Sequence, residues 1–244
     1  MIKVITSEQR KTDERRGMHS ELSFSYGNLD DPHNAHFGCC LLHNDNIMNP
    51  GEEQEEQLHH DLELVSYVYS GRLQHYDSLG HVQILEPGSV QVLTAGSGIR
   101  HREYNASQQE DVRYIQMWFL PRTRDTEPAY NYRSFTEEER LNVLLPVILS
   151  GGAGVQEGGL RMDQEVDLYV SRLDEDKQLE YRSRHSGQRR LHLFVLEGSL
   201  EISCEEGTLQ LNTGDAARIQ TSSKLKILSQ GHQGPTEWML TDMP

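Results

Sequence analysis

Apolar residues recur along this chain in short bursts of strand length. The runs Leu62 to Tyr69, Val82 to Leu85, Val90 to Leu93, Tyr114 to Leu120, Leu168 to Leu173, Leu191 to Leu196, Leu209 to Leu211 and Leu225 to Leu228 are mostly bounded by Gly, Pro, Asp or Asn. Short or alternating apolar stretches between turn residues predict β-strands, and many at close intervals predict a sandwich or barrel. One segment reads as helical: Thr136-Glu137-Glu138-Glu139-Arg140-Leu141. Its threonine suits an N-cap, and its glutamates suit the positive end of a first turn. The expected fold class is all-β with few short helices.

The stretch Arg122 to Arg133 is rich in charge and proline without apolar periodicity, so it predicts a connection between two strand-rich halves. The expected domains are 1–133 and 134–244. The halves echo each other, Tyr69-Ser70-Gly71-Arg72-Leu73 against Leu196-Glu197-Gly198-Ser199-Leu200, and each is followed by a turn at Pro87-Gly88 or Thr213-Gly214. That points to a duplicated unit. The acidic tract from Gly51 to Gln57 reads as a solvated loop leading into a strand.

Composition narrows the partners. A chain of 244 residues buries a sizeable core without needing a metal to fold. The net charge of -15, with basic residues scattered among acids, argues against nucleic acid and anionic membranes as partners. Three cysteines, with Cys39 and Cys40 adjacent and Cys204 distant, make no disulfide framework. Adjacent strand residues point to opposite faces, so Cys39 and Cys40 read as two buried thiols. No run is long and apolar enough to cross a bilayer, and the expected location is the cytoplasm.

Among 12 histidines, spacing discriminates. In Gln57-Leu58-His59-His60-Asp61-Leu62-Glu63, period-2 alternation puts positions 57, 59, 61 and 63 on one face and His60 on the other. Some forty residues later, the glycine turn Gly96-Ser97-Gly98 leads into Ile99-Arg100-His101-Arg102-Glu103, where His101 and Glu103 again share a face. Two strands presenting imidazole and carboxylate inward suit Fe(II), Mn(II), Ni(II), Cu(II) or Zn(II) and leave coordination positions open.

At these residues a family resemblance becomes specific. Gly51, Gln57-x-His59, Glu63 and Gly71 resemble the first cupin motif with its first histidine replaced by glutamine, and Gly98-x-x-His101-x-x-x-Asn105 resembles the second. More narrowly, His59 to Tyr67, Asp77-Ser78-Leu79-Gly80, Pro87-Gly88, Thr94 to Glu103, Gln116-Met117-Trp118, and Phe24-Ser25-Tyr26 with Asp31-Pro32 are similar to the pirin family. The close similarity covers about the first half of the chain; the second half resembles a worn repeat.

The resemblance implies two tandem cupin barrels of the jelly-roll type, with one metal, most often iron, in the N-terminal one. It carries the ligand roles onto His59, His101 and Glu103, and places Gln57 where the family has a further histidine. An amide oxygen is a weaker ligand than imidazole. Glu63 is not a ligand in pirins and is expected to support the ligands from behind. The implied activity is metal-dependent dioxygenation of a flavonol such as quercetin, or of a related enol or phenol, with Glu103 as proton acceptor. The alternative is a metal- or redox-responsive regulatory protein that binds a protein partner, and the bland reading is a polar cluster without metal.

Other residues carry plainer expectations. His75 is divided between lining the pocket and a structural role, and is not assigned to the site. Met117 and Trp118 read as core, with one face of their strand available to wall the pocket. No second ligand pair follows residue 150, so the C-terminal barrel is expected to be metal-free, with His192 an ordinary strand residue. Gly151, Gly152, Gly154, Gly158 and Gly159 lack the strand-to-helix context of a dinucleotide fingerprint and read as a loop.

Overall fold

Each apolar run becomes a strand: Glu63–Ser70, Val82–Leu85, Ser89–Thr94, Val112–Phe119, Asp167–Leu173, Arg190–Glu197, Gly207–Asn212 and Lys224–Ser229. The computed structural model describes residues 2–24, 34–150, 159–220, 224–230 and 234–244. The segments around Ser25, Tyr26, Asp31 and Pro32, and Gly151 to Gly158, lie outside the described residues. The one α-helix among the described residues is Glu137–Arg140. The Thr136 hydroxyl accepts from the Glu139 amide at 3.2 Å and the Glu139 carboxylate from the Thr136 amide at 2.7 Å, a reciprocal cap that starts the helix. No helix among them is long and apolar enough to cross a membrane.

The chain divides into two units, one of Lys11–Phe135 with Leu160–Gln164, the other of Met1–Arg10, Thr136–Gly159 and Glu165–Pro244. In the N-terminal unit a four-stranded sheet runs Gln57–His59, Ile99–Asn105, Leu73–Asp77, Val82–Leu85. Its seven-stranded companion runs Ala129–Ser134, Ser89–Thr94, Glu63–Ser70, Val112–Phe119, Cys40–Met48, Met18–Leu22, Lys11–Arg15. The C-terminal unit repeats the plan with six and four antiparallel strands around Leu193, Val195, Ile202, Leu225 and Trp238. Its six-stranded sheet is edged by Ile2–Ile5, whose register runs from Ile2 opposite Ile219 to Ile5 opposite Ala216.

Three sequence expectations change. The first ten residues group with the C-terminal unit because their strand pairs there, a long-range choice that local pattern does not encode. The stretch expected as a connection ends in a strand: Ala129–Ser134 pairs antiparallel with Ser89–Thr94, so its tyrosines belong to the seven-stranded sheet of the N-terminal unit. Last, positions 57 to 63 do not form one strand. Asp61 sits at φ 49° and its amide donates to the Gly96 carbonyl at 2.9 Å, so the chain turns between Gln57–His59 and Glu63–Ser70 and the alternation restarts. Gly96 holds this junction at φ +48°, and an added Cβ would stand 2.1 Å from the Thr126 carbonyl oxygen, so only glycine fits.

Alternation then builds layers inside the N-terminal unit. Leu64, Leu93, Ala95 and Ile99 form one apolar cluster, with Leu62, Trp118 and Tyr130 against it. Met48, Val68, Leu73, Leu85, Val112 and Tyr114 form another. Ser66, Gln91, Gln116, His101, Glu103 and His75 occupy the positions in between on the same strands, and all are buried. A polar layer enclosed by two apolar ones is costly unless its groups find partners, which makes its few unpartnered atoms informative.

Candidate metal centre

The central strand Ile99–Asn105 alternates buried and exposed positions, turning Ile99, His101, Glu103 and Asn105 inward. On one side it pairs with Gln57–His59, His101 opposite Gln57 and Ile99 opposite His59. On the other it pairs with Leu73–Asp77, Glu103 opposite His75 and His101 opposite Asp77. Directly opposed residues share a face, so these seven side chains from three strands meet on the interior.

The imidazoles gather. The ring centroids of His59 and His101 are 5.0 Å apart and those of His101 and His75 are 5.8 Å apart. Burial holds all three neutral. It pushes the His101 pKa down to about 3, with the neighbouring His59 and His75 rings adding to the effect. His59 is lowered by burial and by His60, and His75 by burial, against the pull of Asp77. His59 Nε2, both ring nitrogens of His101, and His75 Nδ1 are buried without a hydrogen-bond partner. A neutral imidazole with a bare buried nitrogen has the chemistry of a metal ligand, so His59 and His101 fit that role.

Glu103 is placed differently. Ser66 Oγ and Gln91 Nε2 donate to its Oε1 at 3.0 and 2.7 Å, and Gln116 Nε2 donates to its Oε2 at 2.9 Å. The Tyr114 hydroxyl supplies a fourth hydrogen bond. A carboxylate offers about four lone-pair positions, so these donors saturate it. Burial nevertheless lifts its pKa to about 7, because four neutral donors do not replace the hydration of a charge with no exposure. As the side chains stand, no three His, Cys, Asp or Glu residues among those described already form a metal-binding group.

A cavity of about 40 Å³ is lined by Gln57, Gln116, Trp118, Asn44, Asn46 and Gln54 among others. Trp118 is half-buried and its ring stands 5.0 Å from His59, so it walls the site, while Met117 is turned to the other face and buried. Glu63 does not stand behind the ligands. Past the turn at Asp61 it lies on the opposite face from Ser66, where its carboxylate accepts from the amides of Asp163 and Gln164 at 2.5 and 2.8 Å. It fastens the segment Leu160–Gln164.

Sequence reasoning missed the supports. His75 is fully buried, its Nε2 3.1 Å from Asp77 Oδ2, and its ring stacks on Tyr130 at 4.2 Å and 7°. Asp77 also meets His81 Nδ1 at 2.9 Å. The Tyr130 hydroxyl donates to Gln91 Oε1 at 3.1 Å, and Gln91 in turn donates to Glu103. The signal available was the alternation of Leu73, His75 and Asp77, which matches that of the ligand strands. In the C-terminal unit His192 is a buried strand residue, and His185 meets Asp167 Oδ2 at 3.1 Å. Cys39, Cys40 and Cys204 form no disulfide, and Cys39 is half-buried rather than buried because it sits in the turn before its strand.

Known proteins match over nearly the whole chain. A family model described as Pirin matches residues 5–119, and one described as Quercetinase C-terminal cupin domain matches residues 148–243. A protein of Escherichia coli O157:H7 named quercetin 2,3-dioxygenase is 30% identical over 222 residues, which is 91% of this chain and 90% of that protein. Its counterpart in Escherichia coli K12, of the same name, is 28% identical with the same coverage. A crystal structure of the bacterial pirin YhhW from Escherichia coli in complex with nickel(II) aligns with a TM-score of 0.88 at 27% identity, covering 100% of this chain and 99% of that one.

Proposed function

Because this chain belongs to the pirin family of two-barrel cupins, we propose that its N-terminal unit holds one divalent transition metal and oxidises a small enol or phenol with dioxygen. The observation that carries this reading is the set of bare, buried imidazole nitrogens of His59 and His101 beside a buried carboxyl whose pKa is near neutral. His59 and His101 would hold the metal, with Gln57 directly across from His101. For Glu103 to join them as a ligand, one of its four donors would have to let go. Iron(II) is the metal this reading favours, with Mn, Ni, Cu and Zn suiting the same donors. The relatives named quercetin 2,3-dioxygenase and the nickel complex of YhhW support it.

A metal bound there would acidify a coordinated enol hydroxyl, as it does a bound water. Glu103, with a pKa of about 7, is matched to receiving that proton once one of its four donors lets go. The Gln91, Gln116 and Ser66 donors keep its carboxylate in place, and the surrounding leucine layer excludes water. The cavity of about 40 Å³ lined by Gln57, Gln116 and Trp118 has room for roughly a few water molecules, so it takes a whole flavonol only if these side chains move apart. A compact enol fits with less movement.

The test is elemental analysis followed by paired assays of Fe(II)-loaded protein with quercetin and with a smaller enol, in air and under nitrogen. The proposal expects bound metal and coupled loss of substrate and oxygen in air alone. Bound metal without oxygen consumption on either substrate would overturn the catalytic reading.

A further inference from the structure

We infer that Gln116 is the donor that Glu103 gives up to become a metal ligand, and that the freed Gln116 amide then holds the carbonyl oxygen of a small keto-enol substrate. The inference rests on the proposed metal centre, keeps His59, His101 and Glu103 as its ligands, and gives Gln116 a role in specificity.

Two features single out Gln116 among the four donors to Glu103. The first is where it stands. Asn44, Gln116, Ser66 and Gln91 are direct partners across four neighbouring strands, so their side chains form one row on one face of the sheet. Asn44 and Gln116 line the cavity of about 40 Å³ beside Gln57 and Trp118, whereas Ser66, Gln91 and Tyr114 do not line it and are buried. Gln116 is thus the boundary between cavity and enclosure. The second feature is the oxygen it holds. Its Nε2 donates to Glu103 Oε2 at 2.9 Å, while Ser66 Oγ and Gln91 Nε2 share Oε1 at 3.0 and 2.7 Å.

The other donors are tied in place. Gln91 Nε2 also donates to Ser66 Oγ at 3.1 Å, and Gln91 Oε1 accepts from the Tyr130 hydroxyl at 3.1 Å. The Tyr114 hydroxyl accepts from Gln54 Nε2 at 2.5 Å. Released from Glu103, any of these three would leave a polar hydrogen in an apolar enclosure at the full cost of its desolvation. Gln116 can hand its N–H to an occupant of the cavity. As the side chains stand, His59, His101 and Glu103 form no closed metal-binding group, and losing the one bond from Gln116 gives Oε2 a free lone pair.

The occupant follows from the chemistry of the wall. An amide N–H beside a metal-bound enol oxygen suits a substrate with a carbonyl next to that enol, and a plain phenol offers no such acceptor. Both events draw on Oε2, so whatever takes the Gln116 amide raises metal affinity, and the metal raises affinity for it by the same factor.

Nuclear magnetic resonance of the Gln116 side-chain amide tests this in full-length protein, without metal and with one equivalent of Zn(II). The metal-free signal is expected to be protected from solvent exchange. Zn(II) should abolish that protection at Gln116 while Gln91 keeps it. Kojic acid, a compact hydroxy-enone, should then shift the Gln116 signal, and phenol should not. Chelator competition at about pH 8.5, above the Glu103 pKa of about 7, should show Gln116→Leu holding Zn(II) about three- to tenfold more tightly than wild type, and Ser66→Ala no more tightly. A purely structural Gln116 would give weaker binding instead. Bound Zn(II) with the Gln116 amide still protected, unchanged or weaker binding in Gln116→Leu, or tighter binding in Ser66→Ala would overturn the inference and leave the metal reading intact. Equal shifts with kojic acid and phenol would overturn the substrate assignment. No Zn(II) binding at all would overturn the inference and the metal centre together. If Gln116→Leu does not fold, the wild-type exchange data decide.

Discussion

Gln57 and His101 are direct partners across a pair of antiparallel strands, an amide and an imidazole on the same interior face. Their Cβ atoms are therefore about 5 Å apart, close enough to share an ion. Replacing the amide by imidazole adds a nitrogen donor without moving the backbone. Gln57→His is expected to lower the metal dissociation constant by about tenfold or more. Chelator competition measures it, and an unchanged constant would show that position 57 does not govern retention.

The buried histidines and Glu103 set opposite pH dependences in the metal-free protein. His101 takes a proton at about 3 when folded against 6.5 in the unfolded chain, so its contribution is present above pH 6.5 and is lost as pH falls from there toward 3. His59 and His75 are shifted in the same direction. Glu103 takes a proton at about 7 folded against 4.5 unfolded, so its contribution is present below pH 4.5 and is lost as pH rises through 7. Urea unfolding across pH 3 to 8 should show His101→Gln losing less stability than wild type on acidification. Glu103→Gln should gain on wild type between pH 4.5 and 7, with slopes of up to about 1.4 kcal/mol per pH unit for each proton. Parallel curves for Glu103→Gln and wild type would show that the carboxyl titrates normally.

Glu63 belongs to the anchoring of Leu160–Gln164 rather than to the metal centre. Glu63→Gln removes the charge that two backbone amides share, and is expected to cost about 1–3 kcal/mol. Hydrogen exchange at Asp163 and Gln164 should accelerate while metal affinity holds. Weakened metal binding with unchanged exchange at those amides would return Glu63 to the site.

Local pattern accounts for much of this molecule. The strands follow the apolar runs, the Thr136 cap starts the short helix, and the pairs Gln57 with His59 and His101 with Glu103 share faces as period-2 alternation requires. These are properties of a few neighbouring residues, and the physics that sets them is local. The resemblance carried by those same residues led to the family.

Tertiary structure decided what each side chain has left to offer. The turn at Asp61 reversed the face of Glu63, a result of its bond to Gly96, 35 positions away. Tyr130 lay in a stretch without periodicity and became the plate beneath His75 once its strand found Ser89–Thr94. Most of all, the saturation of Glu103 depends on Ser66, Gln91, Tyr114 and Gln116, on three other strands, and the bare nitrogen of His75 depends on Asp77 beside it. Sequence determined which residues face inward; long-range pairing determined which of them keep a lone pair free, because hydrogen bonds are satisfied across strands rather than along them.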